Sequence, residues 1–135
     1  MRGSFIFLLV IGLLLLSVSA EGANWKYIAT TDEGNTSIYI DTESISHISK
    51  TAVRLWSKAL FKETEPFDSK RIVERLTYAE FDCVERKQCI LQFDVKYLDG
   101  SSEVITVPEK EIGCYDIHPD TISSLIFDYI CKKGE

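Results

Sequence analysis

Four cysteines are the residues of this sequence best suited to do chemistry, and all of them (Cys83, Cys89, Cys114 and Cys131) lie in its second half. They contain no C-x-x-C pair, and His47 and His118 are too far off in the pattern to complete a zinc set. In a short exported chain an even cysteine count favours disulfides, two of them here. A Cys–His nucleophile would need a free thiol, and none is expected. His118 directly precedes a helix signal and reads as a helix-start residue. Glu109 with Glu111, and Asp41 with Glu43, are carboxylate pairs of the kind that arise by chance in an acidic chain, and nothing in the sequence places them in a cleft. No G-x-S-x-G, Walker loop, H-E-x-x-H or Rossmann glycine pattern occurs. The residues imply no catalytic set, no cofactor and no metal.

A second cluster could do recognition chemistry. Over Thr51 to Lys62, Val53, Leu55, Ser57, Ala59 and Phe61 alternate with Arg54, Trp56, Lys58, Leu60 and Lys62. The first set fits the buried face of a strand. The second places Trp56 and Leu60 among three cations. It reads either as a tryptophan packed on Arg and Lys stems at the open face of a sheet, or as a contact surface for a protein partner, where aromatic and Arg residues are enriched. Further on, Lys70, Arg71 and Arg75 are interleaved with Glu63, Glu65, Asp68 and Glu74, the mixed charge of a solvated loop and no polyanion site. The formal net charge of −6 also argues against nucleic acid as a partner.

The N-terminus sets the compartment. Arg2 precedes an apolar run from Phe5 to Leu16, and Val18-Ser19-Ala20 supplies small residues for cleavage. Residues 1–20 read as a secretory signal peptide cut after Ala20. The run is shorter than the roughly 20 residues of a membrane span, and no Cys follows the cut to carry a lipid, so no stable membrane anchor is expected after cleavage. Loss of Arg2 moves the net charge from −6 to −7. Residues 21–135 remain as one domain, exported to the periplasm, the cell surface or the medium.

The elements that must position these residues follow from periodicity and turn chemistry. Trp25–Thr31 and Thr36–Asp41 read as strands around a turn at Asp32–Asn35, where Asn35-Thr36-Ser37 is formally a glycosylation acceptor. Thr42–Ser49 reads as a turn carrying Ile45 and Ile48 inward. Glu63–Lys70, with Pro66, reads as a loop between Thr51–Lys62 and a strand over Ile72–Cys83. After a turn at Val84–Gln88, Cys89, Leu91, Phe93, Val95 and Tyr97 alternate with Ile90, Gln92, Asp94, Lys96 and Leu98. Asp99-Gly100 is a hairpin signal leading to Glu103–Val107, and Pro108 ends that strand. Pro119 suits the first turn of a helix, Asp120 suits its positive end, and Lys132, Lys133 and Gly134 suit its close. Thr121, Ser124, Asp128 and Lys132 make a polar stripe. Ile122, Leu125, Ile126, Phe127, Tyr129, Ile130 and Cys131 make a wide apolar arc that must cover a sheet.

The expected fold is α+β: an antiparallel meander of five to six strands against one C-terminal helix. The helix should cover the face of Phe81, Cys83, Cys89, Leu91 and Phe93. The expected pairing is Cys83 with Cys131 and Cys89 with Cys114; the alternative pairs Cys83 with Cys89 and Cys114 with Cys131.

These pieces, in this order, resemble the surface-adhesin protein E family of exported bacterial domains. The matching residues are Trp25, Tyr39-Ile40-Asp41 with Ser44-Ile45, Val53-Arg54-Leu55-Trp56, Phe81-Asp82-Cys83, Tyr97 with Gly100, and Ile117-His118-Pro119 with Leu125 and Cys131. The resemblance implies a sheet of about six strands under a C-terminal helix, and a Cys83–Cys131 bridge common to the family. Cys89 and Cys114 fall outside the family pattern and would form a second bridge particular to this chain. The family's founding member is an adhesin for host matrix proteins, an activity of surface loops that no residue match carries over to this chain. The function expected is non-enzymatic binding of a protein or matrix partner. The alternatives are an accessory or structural protein of the envelope, and a small secreted hydrolase or inhibitor without a recognisable motif.

Overall fold

Period-two alternation and turn residues build most of the chain. The computed structural model describes residues 22–132; the signal peptide expected at 1–20, and Lys133 and Gly134 after the helix, lie outside the described residues. β1 (Trp25–Thr31) and β2 (Thr36–Asp41) form the first hairpin. β3 (Ser46–His47), β4 (Ala52–Phe67), β5 (Lys70–Asp82), β6 (Lys87–Tyr97), β7 (Ser102–Thr106) and β8 (Cys114–Asp116) follow, and α1 (Ile122–Lys132) closes the chain. Every strand pair is antiparallel, in the order β1-β2-β4-β5-β6-β7. β3 pairs with β4 and β8 with β6. This is the α+β meander with one C-terminal helix that the sequence leads one to expect.

Asp41 ends β2. Its Oδ1 accepts from the backbone N–H groups of Asn24 and Glu43, both at 3.0 Å, so this buried carboxylate is satisfied locally. Ser44 Oγ donates to the Asp41 carbonyl and accepts from the Trp56 N–H, each at 2.8 Å, which ties the turn to β4. Ile45 packs on the core as expected. Ile48 does not: the Ile48 N–H is held by the Ala52 carbonyl at 2.9 Å in a tight turn, and the side chain is 47% exposed.

The span 63–70 is a hairpin and no loop. β4 runs on through Pro66 to Phe67, paired with Lys70–Ile72. Pro66 is tolerated because this end of β4 has passed beyond β2, whose pairing stops at Phe61. Asp68 makes the turn with φ 53°. Between Leu60 and Glu65 the register shifts: residues 61–64 intervene on β4, where Val73 alone intervenes on β5. Two residues, Arg71 and Asn35, hold this bulge. Arg71 donates from its guanidinium to the Thr64 side chain and carbonyl. Lys62 N–H donates to the Asn35 carbonyl at 2.8 Å, and the Asn35 side chain engages Glu63.

A second bulge corrects the expected helix-covered face. β5 and β6 pair Tyr78 with Gln92 and then Ala79 with Ile90, which leaves Leu91 as the extra residue. One extra residue exchanges the faces of everything beyond it. Phe93 and Val95 stay on the helix side, but Gln88 and Ile90 join them there in place of Cys89. Cys89 stands opposite Glu80, on the open face, directly across from Cys114 on β8. The two are bonded, with Cα atoms 4.2 Å apart. Cys83, at the end of β5, is bonded to Cys131 of α1 with Cα atoms 5.5 Å apart. The disulfides thus sit on opposite faces of the sheet.

The helix begins later than Pro119. Asp120 has φ 62°, a left-handed conformation that no helical turn contains. Thr121 is the cap: its Oγ1 accepts from the Ser124 N–H at 3.2 Å, while Ser124 Oγ accepts from the Thr121 N–H at 3.1 Å, a reciprocal arrangement of the capping-box kind. Ser124 is therefore buried in its cap and lies outside any solvated stripe. Ile126, Phe127 and Ile130 join Ile38, Ile40, Val53, Leu55, Ala79 and Phe81 in one core. Each of the three contributes about 1.5–3 kcal/mol by leaving water.

The turn between β6 and β7 adds a pH-dependent element. Asp99 Oδ1 accepts from Ser101 N–H at 2.9 Å and Ser101 Oγ at 2.5 Å, beside Gly100 at φ 90°. The Ser101 hydroxyl, then its backbone N–H, hold the Asp99 carboxyl below the usual carboxylate range.

Two expectations follow for solution. Converting Cys83 and Cys131 together to Ser opens a bridge of sequence separation 48 and should cost about 4 kcal/mol of unfolding free energy in a denaturant titration; the Cys89/Cys114 double variant, separation 25, should cost about 3.5 kcal/mol. A cost below about 1 kcal/mol for the first variant would contradict the assignment of that bridge to the core. Because the folded pKa of Asp99 is lowered, its stabilisation is complete above the unfolded value of about 4 and is lost as pH falls through the folded value. The melting temperature should therefore exceed that of Asp99→Asn near neutrality and converge with it on acidification; a gap independent of pH would contradict this.

Candidate partner-binding face

The open face of the sheet holds the aromatic and cationic residues singled out in the sequence. Arg54, Trp56, Lys58 and Leu60 point to it from β4, and their β5 partners are Glu80, Tyr78, Leu76 and Glu74. Lys62 stands apart, exposed in the bulge that interrupts the β4–β5 ladder, where its backbone belongs to the Asn35 turn. The structure thus groups four of the five predicted residues.

Arg54, Trp56 and Lys58 are each engaged within the face. Trp56 and Tyr78 stack across the β4–β5 pair with ring centroids 5.1 Å apart and planes tilted by 31°. Arg54 Nε donates to Glu80 Oε1 at 2.9 Å, and that hydrogen bond raises the Arg54 pKa above its already high value. With both side chains partly exposed, the pair is worth at most about 1 kcal/mol. Lys58 Nζ lies 4.6 Å from the Trp25 ring centre and 5.2 Å from that of Tyr39. Tyr39 meets Tyr27 edge-on at 5.6 Å. The result is a cross-strand band of aromatic rings and capped cations from β1 to β5, with Tyr27 53% exposed at its end. Such a band offers ring faces and edges of the kind found in the core of protein interfaces.

Trp25, Tyr27, Tyr39 and Tyr78 are the members that strand-by-strand reading of the sequence misses. Their signal is the register. Carrying the Phe67–Lys70 pairing straight along the hairpin would set Trp56 opposite Phe81; the bulge at 61–64 sets it opposite Tyr78.

Among the described residues no group of three His, Cys, Asp or Glu side chains could hold a metal ion. His47 and His118 are exposed, as are Glu109 and Glu111. The His118 carbonyl accepts from Thr121 Oγ1 at 2.7 Å, a helix-start role for its backbone. Among the described residues no helix is long and apolar enough to cross a membrane.

Residues 25–132 match the family model of surface-adhesin protein E. Solved structures of protein E from Haemophilus influenzae share the fold. One, from crystal form II, has a TM-score of 0.57 at 17% identity and covers 86% of this chain and 97% of that one. Another, of protein E from the non-typeable organism, has a TM-score of 0.53 at 18% identity and covers 78% and 75%. At these identities the likeness is one of fold. No curated protein is significantly similar in sequence.

The band should behave as a coupled unit. In a double-mutant cycle of Trp56→Ala and Tyr78→Ala, read by denaturant titration, the coupling energy should be about 0.5–1.5 kcal/mol. Strict additivity would mean that the rings do not stack in solution.

Proposed function

Since this chain belongs to the surface-adhesin protein E family, we propose that it is an exported, non-enzymatic binding domain of adhesin type, which meets a protein or matrix partner with the open face of its sheet. The observation that carries the proposal is the family match over 25–132, nearly all of the domain expected after export. Two features support it. Both disulfides suit an oxidising compartment outside the cytoplasm, in keeping with a signal peptide at residues 1–20. The aromatic band is of the composition enriched at protein interfaces.

Location and face are tested separately. Protease treatment of intact cells should remove the protein if it is displayed on the surface; survival until the outer envelope is permeabilised would indicate the periplasmic accessory role instead. For the face, Tyr27→Ala and Lys58→Glu should each weaken capture of immobilised matrix protein by about 1–2 kcal/mol with the melting temperature little changed. Full retention of capture by both variants would move the contact elsewhere on the domain.

A further inference from the structure

On the opposite face of the sheet, Arg75 occupies a position that surface charge does not explain. It lies opposite Ala59 and Val95, both core residues, so it projects to the helix side. Its guanidinium carbon lies 5.5 Å from the Phe61 ring centre and 5.9 Å from that of Phe93. Its one ion pair among the described residues is loose: Nη1 is 3.8 Å from Glu65 Oε1, and the Glu65 side chain is 47% exposed. Its Nε is buried with no hydrogen-bond partner among the described residues. The Arg75 side chain as a whole is 28% exposed, but a buried N–H donor left unpaired is costly unless something fills the place.

Two cavities meet at this residue, with Arg75 and Phe93 in the wall of both. The first has about 180 Å³ of free space and is otherwise lined by Glu65, Phe67, Ile72, Val95 and Ile105. The second has about 280 Å³ and runs toward the start of α1, past Thr77, Gln88 and Ser123. A cation thus stands at the junction of an apolar chamber and a mixed one, which Ile90, Ile122 and Ile126 also line. The smaller chamber holds about six water volumes, room for a short hydrocarbon tail.

We propose that this paired cavity binds a small amphiphilic monocarboxylate. The carboxylate takes the guanidinium of Arg75, displacing Glu65, whose carboxylate is a loose internal stand-in. The tail enters among Phe67, Ile72, Val95 and Ile105. Charge-assisted donation from a guanidinium to a carboxylate supplies the selectivity, and the apolar walls supply the affinity. The site lies across the sheet from the proposed partner face and does not depend on it.

The test is a titration of the isotope-labelled mature domain with hexanoate and, in parallel, with 1-hexanol, followed by amide chemical shifts at constant ionic strength. Shifts should centre on Ile72, Arg75, Phe93, Val95 and Ile105, and hexanoate should bind about tenfold or more tightly than hexanol. Arg75→Gln should abolish that preference, Glu65→Gln should strengthen hexanoate binding, and Ile105→Trp should block both ligands by filling the apolar chamber. Equal affinity for the two ligands, unaltered hexanoate binding in Arg75→Gln, or shifts confined to other surfaces would overturn the proposal. Should Arg75→Gln fail to fold, the hexanoate-to-hexanol ratio of the unmodified protein and the loss in Ile105→Trp decide it.

Discussion

Everything in this domain depends on keeping one short helix against one face of an open sheet. α1 has 11 residues, less than an isolated helix needs to persist in water. Its stability comes from burying Ile126, Phe127 and Ile130 on the sheet and from the Cys83–Cys131 bond at its last turn. Its other end is fixed by the Thr121–Ser124 cap and by Ile117, which is buried and whose N–H donates to the Arg86 carbonyl at 3.0 Å. Arg86 in turn places its guanidinium carbon 4.5 Å from the centre of the Phe127 ring. The sheet supplies the matching surface because period-two alternation aligns Ile38, Ile40, Val53, Leu55, Ala79 and Phe81.

With one face taken by the helix, the other carries the aromatic and cationic band. On this face aromatic residues meet neighbours across strands: Trp56 with Tyr78, Tyr27 with Tyr39, and Lys58 over Trp25 and Tyr39. The Cys89–Cys114 bridge fixes β8 to the edge of β6 on this same side. A face built in this way needs little reordering on contact with a partner, which limits the entropic cost of binding. Across the sheet, the register shift at 61–64 sets Glu65 opposite Ile72, and Phe61, Glu65 and Phe67 come round Arg75. A single irregularity in β4 therefore shapes both sides.

Most of the fold is legible in the sequence because its signals are local. Alternation in Val53–Phe61, the Asp99-Gly100 turn, and the apolar arc of Ile122–Cys131 each report their own element. The residues that were misplaced answer to pairing, which is not local. Cys89 looks like a neighbour of Leu91 and Phe93 until the bulge at Leu91, set by the register with β5, turns it to the other face. Pro66 looks like a loop residue until β4 is seen to extend beyond its neighbour β2. Arg75 looks like loop charge, since nothing in the run of Lys and Glu around it tells that its side chain lies among Phe61, Phe93 and Ile105. The open-face cluster was half legible: β4 announced Arg54, Trp56 and Lys58, while the rings they touch come from three other strands.

The central claim is that helix and sheet form one cooperative unit, covalently joined. Native-state hydrogen exchange of the oxidised protein tests it most directly. The amides of Ile126, Phe127 and Ile130 should exchange only through global unfolding, with the same free energy and denaturant dependence as those of Leu55 and Phe81. Helix amides that exchange through a separate opening of much lower free energy, while the central strands remain protected, would contradict it.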